Sequence, residues 1–403
     1  MKPIALLGSL LLSACATVPP APPPVGVEAA VAFDLHGERG AVAHGYADRA
    51  NHRLATLDDP VRVASVSKLG VALGVMRLVE TGVLDLDAPV DRWLGWPLRN
   101  PAFPDRPISL RQLLSHTASV RDQGDSYVLP LDGSVRAMMA DPKSWDPAHG
   151  PGDNVFTYAN INFPITAGVM ERATGERFDR LMARLVMAPL GLDACYNTLA
   201  CSDAAVARIV ELDFADGKPR KDDLHGHRPA CPVSPASDGS CDLTRWRAGD
   251  NGAMFAPQGG LRISPRGLAV IGRMLLGNGM IDRRRFLTPA SVDTMLATQW
   301  TFDGHNGASE LGFYCRYGLA TQALATPVAG CHDDPLPRSG AWVGHAGEAY
   351  GLRSGLWIDR ARGVGIAYYA TGLPDQPPRG KSAFYAAEER AFTTAVELLD
   401  GRH

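Results

Sequence analysis

Residues 62–76 read RVASVSKLGVALGVM, and how this stretch folds decides the architecture of the chain. Leu69, Leu73 and Met76 fall on one helical stripe, and Ala72, Val75 and Val79 widen it. So broad an apolar face predicts a helix from Ser65 to about Glu80, buried at the centre of the fold and ended by Thr81 and Gly82. Residues three apart share a helix face, so Lys68 can set its amine against the Ser65 hydroxyl. The head of a buried helix also offers free amides and a positive dipole end, which stabilise negative charge developing there. Ser65 is therefore a candidate nucleophile. By itself the Ser-x-x-Lys spacing is weak evidence, although among the lysines at 2, 68, 143, 218, 221 and 381 only Lys68 has a serine three places before it.

Before this helix, residues 26–48, GVEAAVAFDLHGERGAVAHGYAD, alternate small apolar residues around a turn at His36–Gly40, the mark of a hairpin. Beyond it, residues 83–250 carry helical patterns such as SLRQLLSHTA and FDRLMARLVMAPL between long Pro-, Gly- and Asp-rich stretches. From 251 the pattern returns to glycine turns, a helix at PRGLAVIGRMLLGNG, and strand-like runs at AWVGHAG, RSGLWID and GVGIAYYAT, closed by a helix over about 381–399. Strands at both ends with helices between predict that the termini join in one antiparallel sheet. The expected division is an α/β (α+β) sheet domain of residues 25–64 and 251–403, with a mainly helical domain of 65–250 against it.

Composition narrows the function classes. A chain of 403 residues with 45% hydrophobic and 21% charged residues is an ordinary globular protein, and a net charge of −3 supplies no basic face for nucleic acid. Partners are expected to be small molecules. At the N-terminus, Lys2, the apolar run Ile4–Leu12 and then LSAC read as an export signal, too short to span a bilayer as a helix. These residues resemble the lipobox of bacterial lipoproteins, which implies cleavage after residue 14 and lipidation of Cys15. The Pro-rich residues 15–24 would then tether a body held on the periplasmic side of a membrane, the outer one by expectation.

The other six cysteines fall in near pairs, Cys195 with Cys201, Cys231 with Cys241 and Cys315 with Cys331. An oxidising compartment favours three local disulfides, because each near neighbour closes a short loop, although sequence leaves other pairings open. His225, His227, Cys231 and Cys241 also lie close together, but their spacing matches no usual zinc site.

A serine hydroxyl needs a base, and a partly buried lysine, or a group that its cation tunes, can serve. FTYANINF, residues 156–163, supplies Tyr158 as a proton shuttle and Asn160 as a substrate hydrogen bonder, two apart on one side of an extended segment. GHAGEAYG, residues 344–351, sets His345 and glycines on a strand where backbone can approach a ligand. Taken singly, each has a plainer reading: Tyr158 as a half-buried aromatic, Asn160 as a turn residue, His345 as a strand residue. His116 in LSHTA reads as a buried packing histidine, and Arg262 in GGLRIS as a surface residue.

In their order, ASVSK, YAN and HAG resemble the three active-site motifs of the serine β-lactamase and penicillin-binding-protein superfamily, closest to its class C-like branch with esterases and DD-peptidases. LLSHTAS (113–119), GVLDLDAPV (82–90), PGDNVFTYAN (151–160) and GGLRIS (259–264) resemble the same branch, over about residues 25–400. The resemblance implies Ser65 as the acylated nucleophile and Lys68 with Tyr158 as one coupled base. Asn160, His345, Ala346, Gly347 and Glu348 would bind substrate, with the amides of Ser65 and Glu348 as the oxyanion hole. It implies ester, amide or D-amino-acid peptide substrates, and no metal or organic cofactor.

Two departures stand out. His-Ala-Gly replaces the commoner Lys-Thr-Gly, removing a cation and a hydroxyl that hold a substrate carboxylate, which weighs against an efficient β-lactamase. Glu348 would oppose an oxyanion unless it turns outward or meets a cation such as Arg353. The alternatives are a DD-carboxypeptidase or class C-type β-lactamase, and a non-catalytic, membrane-tethered binding module that keeps the fold.

Overall fold

A computed structural model describes residues 26–125 and 127–401. The expected signal (1–14), Cys15 and the tether (15–24) lie outside the described residues.

The hairpin of β1 (Glu28–Asp34) and β2 (Glu38–His44) joins the C-terminal strands as the alternation predicts. β1 pairs antiparallel with Val364–Ala370, from Glu28 opposite Ala370 to Asp34 opposite Val364. The sheet has eight strands, in the order 300–301, 316–317, 322–323, 343–349, 352–359, 364–370, β1, β2. Alternate residues of β1 serve opposite layers. Ala29, Val31 and Phe33 enter the larger core with the helix Pro265–Leu276, and Ala30 and Ala32 enter a second core with the helix Ala386–Leu399. Covered on both faces, Leu352–Asp359 is buried at every residue, Arg353, Ser354 and Asp359 included.

The central helix, α1, runs Ser67–Glu80 with eleven buried residues. The expected start at Ser65 is two residues early, because Ala64–Val66 form a 3-10 turn first. α1 shares the larger core with Asn162–Thr174 and Phe178–Met182, so helical stretch and sheet rest on continuous apolar packing. The last helix begins at Ala386, not 381: Glu389 accepts from the amides of Lys381 (3.0 Å) and Ser382 (2.7 Å), holding that segment in a loop.

Cys195–Cys201, Cys231–Cys241 and Cys315–Cys331 are disulfides, as expected. Arg262 corrects the sequence reading. It is 6% exposed, not a surface residue, because Asp222 meets its guanidinium with both oxygens, at 3.0 and 2.6 Å. Among the described residues no helix is long and apolar enough to cross a membrane.

Candidate active site

The short strand Val61–Arg62 pairs with Arg262–Ile263 and delivers the chain to Ala64, whose φ of 45° lies in the left-handed region. A non-glycine residue there costs about 1–2 kcal/mol, so the turn is over-determined by its surroundings. It leaves Ser65 partly exposed at the wall of a cleft of about 1410 Å³, while Lys68 is fully buried beneath it.

Lys68 Nζ stands 2.9 Å from Ser65 Oγ, 2.8 Å from Asn160 Oδ1 and 3.0 Å from the Gln258 carbonyl. Burial drags its pKa down from 10.5 to about 7, against the opposing charge of Asp122. A neutral amine has two N–H groups and one lone pair. Asn160 and Gln258 can only accept, so they take both N–H groups and leave the lone pair facing Ser65.

Asn160 is itself held. Asp122 accepts from the Asn160 amide (2.8 Å), its side-chain nitrogen (3.1 Å) and the Ile161 amide (2.9 Å). Tyr158 lies between His116 and Tyr314, ring centroids 4.4 and 4.6 Å away, both stacked. Its hydroxyl is buried and faces Ser65 and Tyr314 without closing a well-formed hydrogen bond. Burial pushes this phenol well above the usual tyrosine range, more than the Ser65 and Tyr314 contacts lower it. His116 is buried, as expected of a packing residue, and its Nδ1 accepts from the Ala159 amide at 3.1 Å, which places the YAN segment.

Ala346, Gly347 and Glu348 line the cleft. A Cβ on Gly347 would stand 2.4 Å from the Val63 carbonyl and 3.3 Å from the Ser65 amide, so only glycine lets this strand lie against the serine turn. Glu348 meets Arg353 at 2.7 Å, the cation considered for it from sequence. His345, expected beside these residues, does not line the cleft: it is 1% exposed and bonds Tyr317 Oη through Nε2 at 2.8 Å. The Ala346 carbonyl can only accept from Nδ1, so Nδ1 carries the proton and Nε2 receives the phenol's. Burial, reinforced by the charge of Lys68, lowers His345 to about 3, so this imidazole is neutral.

Sequence reasoning missed Asp122, Gln258 and the rings at 314 and 317. It also missed Ser67, whose hydroxyl accepts from the Leu261 amide at 3.0 Å and ties α1 to the turn before Arg262.

An antiparallel sheet flanked by helices, with a serine–lysine pair at the head of a buried helix, defines the fold class of the serine β-lactamases and penicillin-binding proteins. The chain belongs to the β-lactamase family, whose Beta-lactamase family model matches residues 25–391. It is similar to esterase EstB of Burkholderia gladioli, 34% identical over 173 residues, 38% of this chain and 42% of that protein. It is also similar to the D-alanyl-D-alanine-carboxypeptidase/endopeptidase AmpH of Escherichia coli K12, 25% identical over 163 residues, 38% of this chain and 41% of that protein. The chain thus aligns with less than half the length of these curated relatives. Among solved structures, the D-amino acid amidase of Ochrobactrum anthropi SV3 superposes with a TM-score of 0.64 at 20% identity, covering 94% of this chain and 95% of that one. A β-lactamase/D-alanine carboxypeptidase from Pseudomonas syringae superposes with a TM-score of 0.65 at 17% identity, covering 94% of each chain. These structural likenesses establish the fold.

Proposed function

We propose that the protein is a serine hydrolase that cleaves small esters or D-amino-acid amides through an acyl-enzyme on Ser65. The observation that carries this reading is the buried Lys68 amine, lowered to about 7 and so available as a neutral base near pH 7, 2.9 Å from the serine oxygen. Lys68 accepts the Ser65 proton as Oγ attacks the carbonyl carbon. The amides of Ser65 and Glu348 hold the oxyanion, and the neutral Tyr158 phenol, facing Ser65, donates to the leaving group and is reprotonated through Lys68. Water then releases the acid by the reverse proton path. Gln258 Oε1, buried without a partner on the cleft wall, is an acceptor for a substrate N–H.

Esters and amides are favoured over penicillins because the slot where relatives commonly hold a substrate carboxylate with a cation contains the neutral, buried His345. An alkyl fluorophosphonate tests the nucleophile directly: intact mass should gain one phosphonyl group on the wild type and none on Ser65→Ala. Equal labelling of both proteins, or of neither, defeats the assignment. Turnover of p-nitrophenyl butyrate, D-phenylalanine amide and benzylpenicillin then ranks the substrate classes.

The three disulfides and the sequence before Cys15 support export and lipid anchoring through that cysteine. Cys15→Ser is expected to lose incorporation of labelled palmitate and to leave the membrane fraction for the soluble one. Undiminished membrane retention without label would refute the anchor.

A further inference from the structure

Behind the cleft wall formed by residues 219–224, three chain segments bring side chains of metal-binding type together. The Glu211 amide donates to the Ala47 carbonyl at 2.8 Å, which sets Glu211 beside Asp48 at the end of the strand Tyr46–Asp48. Left-handed turns at Asp222 (φ 57°) and His225 (φ 44°) fold the third segment back onto them. One donor atom each from Asp48, Glu211 and His225 lies within 4.8 Å of the others.

The details fit a metal better than an internal ion pair. Asp48 Oδ2 and His225 Nδ1 are 3.1 Å apart. Two ligands about 2.0–2.1 Å from a tetrahedral zinc ion stand about 3.3 Å from each other, so little movement separates this contact from coordination. The other ring nitrogen, Nε2, is 2.7 Å from Asp223 Oδ1. A carboxylate on the second nitrogen is what fixes the tautomer and orientation of a metal-binding histidine. Glu211, 6% exposed, has a buried Oε1 with no hydrogen-bond partner, and Asp213, 5% exposed, has an unpartnered Oδ1. Four carboxylates, those of Asp48, Glu211, Asp213 and Asp223, are faced here by the cations Arg49 and His225. A buried carboxyl oxygen without a partner is a costly arrangement that a coordinated cation relieves.

We propose that Asp48, Glu211 and His225 bind one zinc ion, with water as the fourth ligand. Zinc takes the place of the proton between His225 Nδ1 and Asp48 Oδ2, and that proton leaves to solvent. The nitrogen ligand selects zinc over calcium and magnesium, which take oxygen donors. The ion has no part in the Ser65 chemistry. It pins the 222–225 turn, and with it one wall of the cleft, to the strand Tyr46–Asp48.

The test uses the full chain under non-reducing conditions, so that the paired cysteines do not compete, after passage over a chelating resin. Calorimetric titration with ZnCl2 should give one ion per chain, with a rise in thermal midpoint that CaCl2 and MgCl2 do not produce. Glu211→Gln and His225→Ala should each weaken binding by at least about 100-fold, Asp223→Asn by about 10-fold through the second nitrogen, and His227→Ala not at all. No zinc uptake by the folded wild type overturns the site, as does uptake unchanged in Glu211→Gln and His225→Ala. Should those variants fail to fold, Co2+ in the wild type decides: intense visible bands of a four-coordinate ion support the site, and the weak band of a six-coordinate ion overturns it.

Discussion

Lys68→Met is expected to lower kcat/KM by about 10³-fold or more while the chain stays folded. Two arguments converge on this result. Methionine fills the space of the lysine stem and has no lone pair of useful basicity, so the Ser65 proton has nowhere to go. The same exchange removes a buried amine that weakens the fold, because Lys68 is pulled from 10.5 in the unfolded chain to about 7 in the folded one. Between those values the unfolded chain binds more protons, so wild-type stability rises with pH across that window. The variant lacks this slope, and its advantage in thermal midpoint is greatest below pH 7. The wild type's kcat/KM should rise tenfold per pH unit up to an apparent pKa near 7 and then level, since only the neutral amine accepts a proton. An ascending limb centred near 10 would contradict a neutral Lys68, as would a Lys68→Met protein that keeps its activity.

How much of this was legible beforehand depends on the range of the interactions involved. α1 was readable because it is apolar on nearly every side, and Val364–Ala370 because burial on both faces leaves it without a charged residue. The ordered motifs marked the Ser65–Lys68–Asn160 constellation, which the fold assembles across 92 residues of chain. Asp122 and Gln258 escaped because nothing local distinguishes them: one is an aspartate in a loop, the other acts on Lys68 through its backbone carbonyl. The alternation of a strand tells that His345 and Gly347 share a face, but not that Tyr317 covers His345 there. Arg262 was misread for the same reason. A charged residue in a glycine-rich turn looks solvated until its partner, 40 residues away, is known.

That partner sets the second large effect. Asp222→Asn is expected to destabilise the chain by about 3–5 kcal/mol, the usual cost of removing one member of a buried ion pair. Arg62 and Arg262 stand directly opposite each other across the pairing of Val61–Arg62 with Arg262–Ile263. Like charges so placed repel, and Asp222 is what reconciles them, its two oxygens receiving Nε and Nη2 of each guanidinium at 2.6–3.0 Å. Burial alone would raise its carboxyl, but the charges of Arg262 and Arg62 outweigh burial and hold it well below the usual carboxylate range. A carboxylate lowered on folding contributes stability that is full above its unfolded value and is lost as pH falls through the folded one. The deficit of Asp222→Asn should therefore be constant above about pH 5 and shrink in stronger acid. Because Arg62 lies three residues before Ser65, the repulsion also loosens the serine turn, and the variant's kcat should fall at temperatures where it is still folded. Adding Arg262→Leu removes the repulsion and should recover part of both losses. If the double variant is no better than Asp222→Asn, the opposed arginines are not what Asp222 restrains.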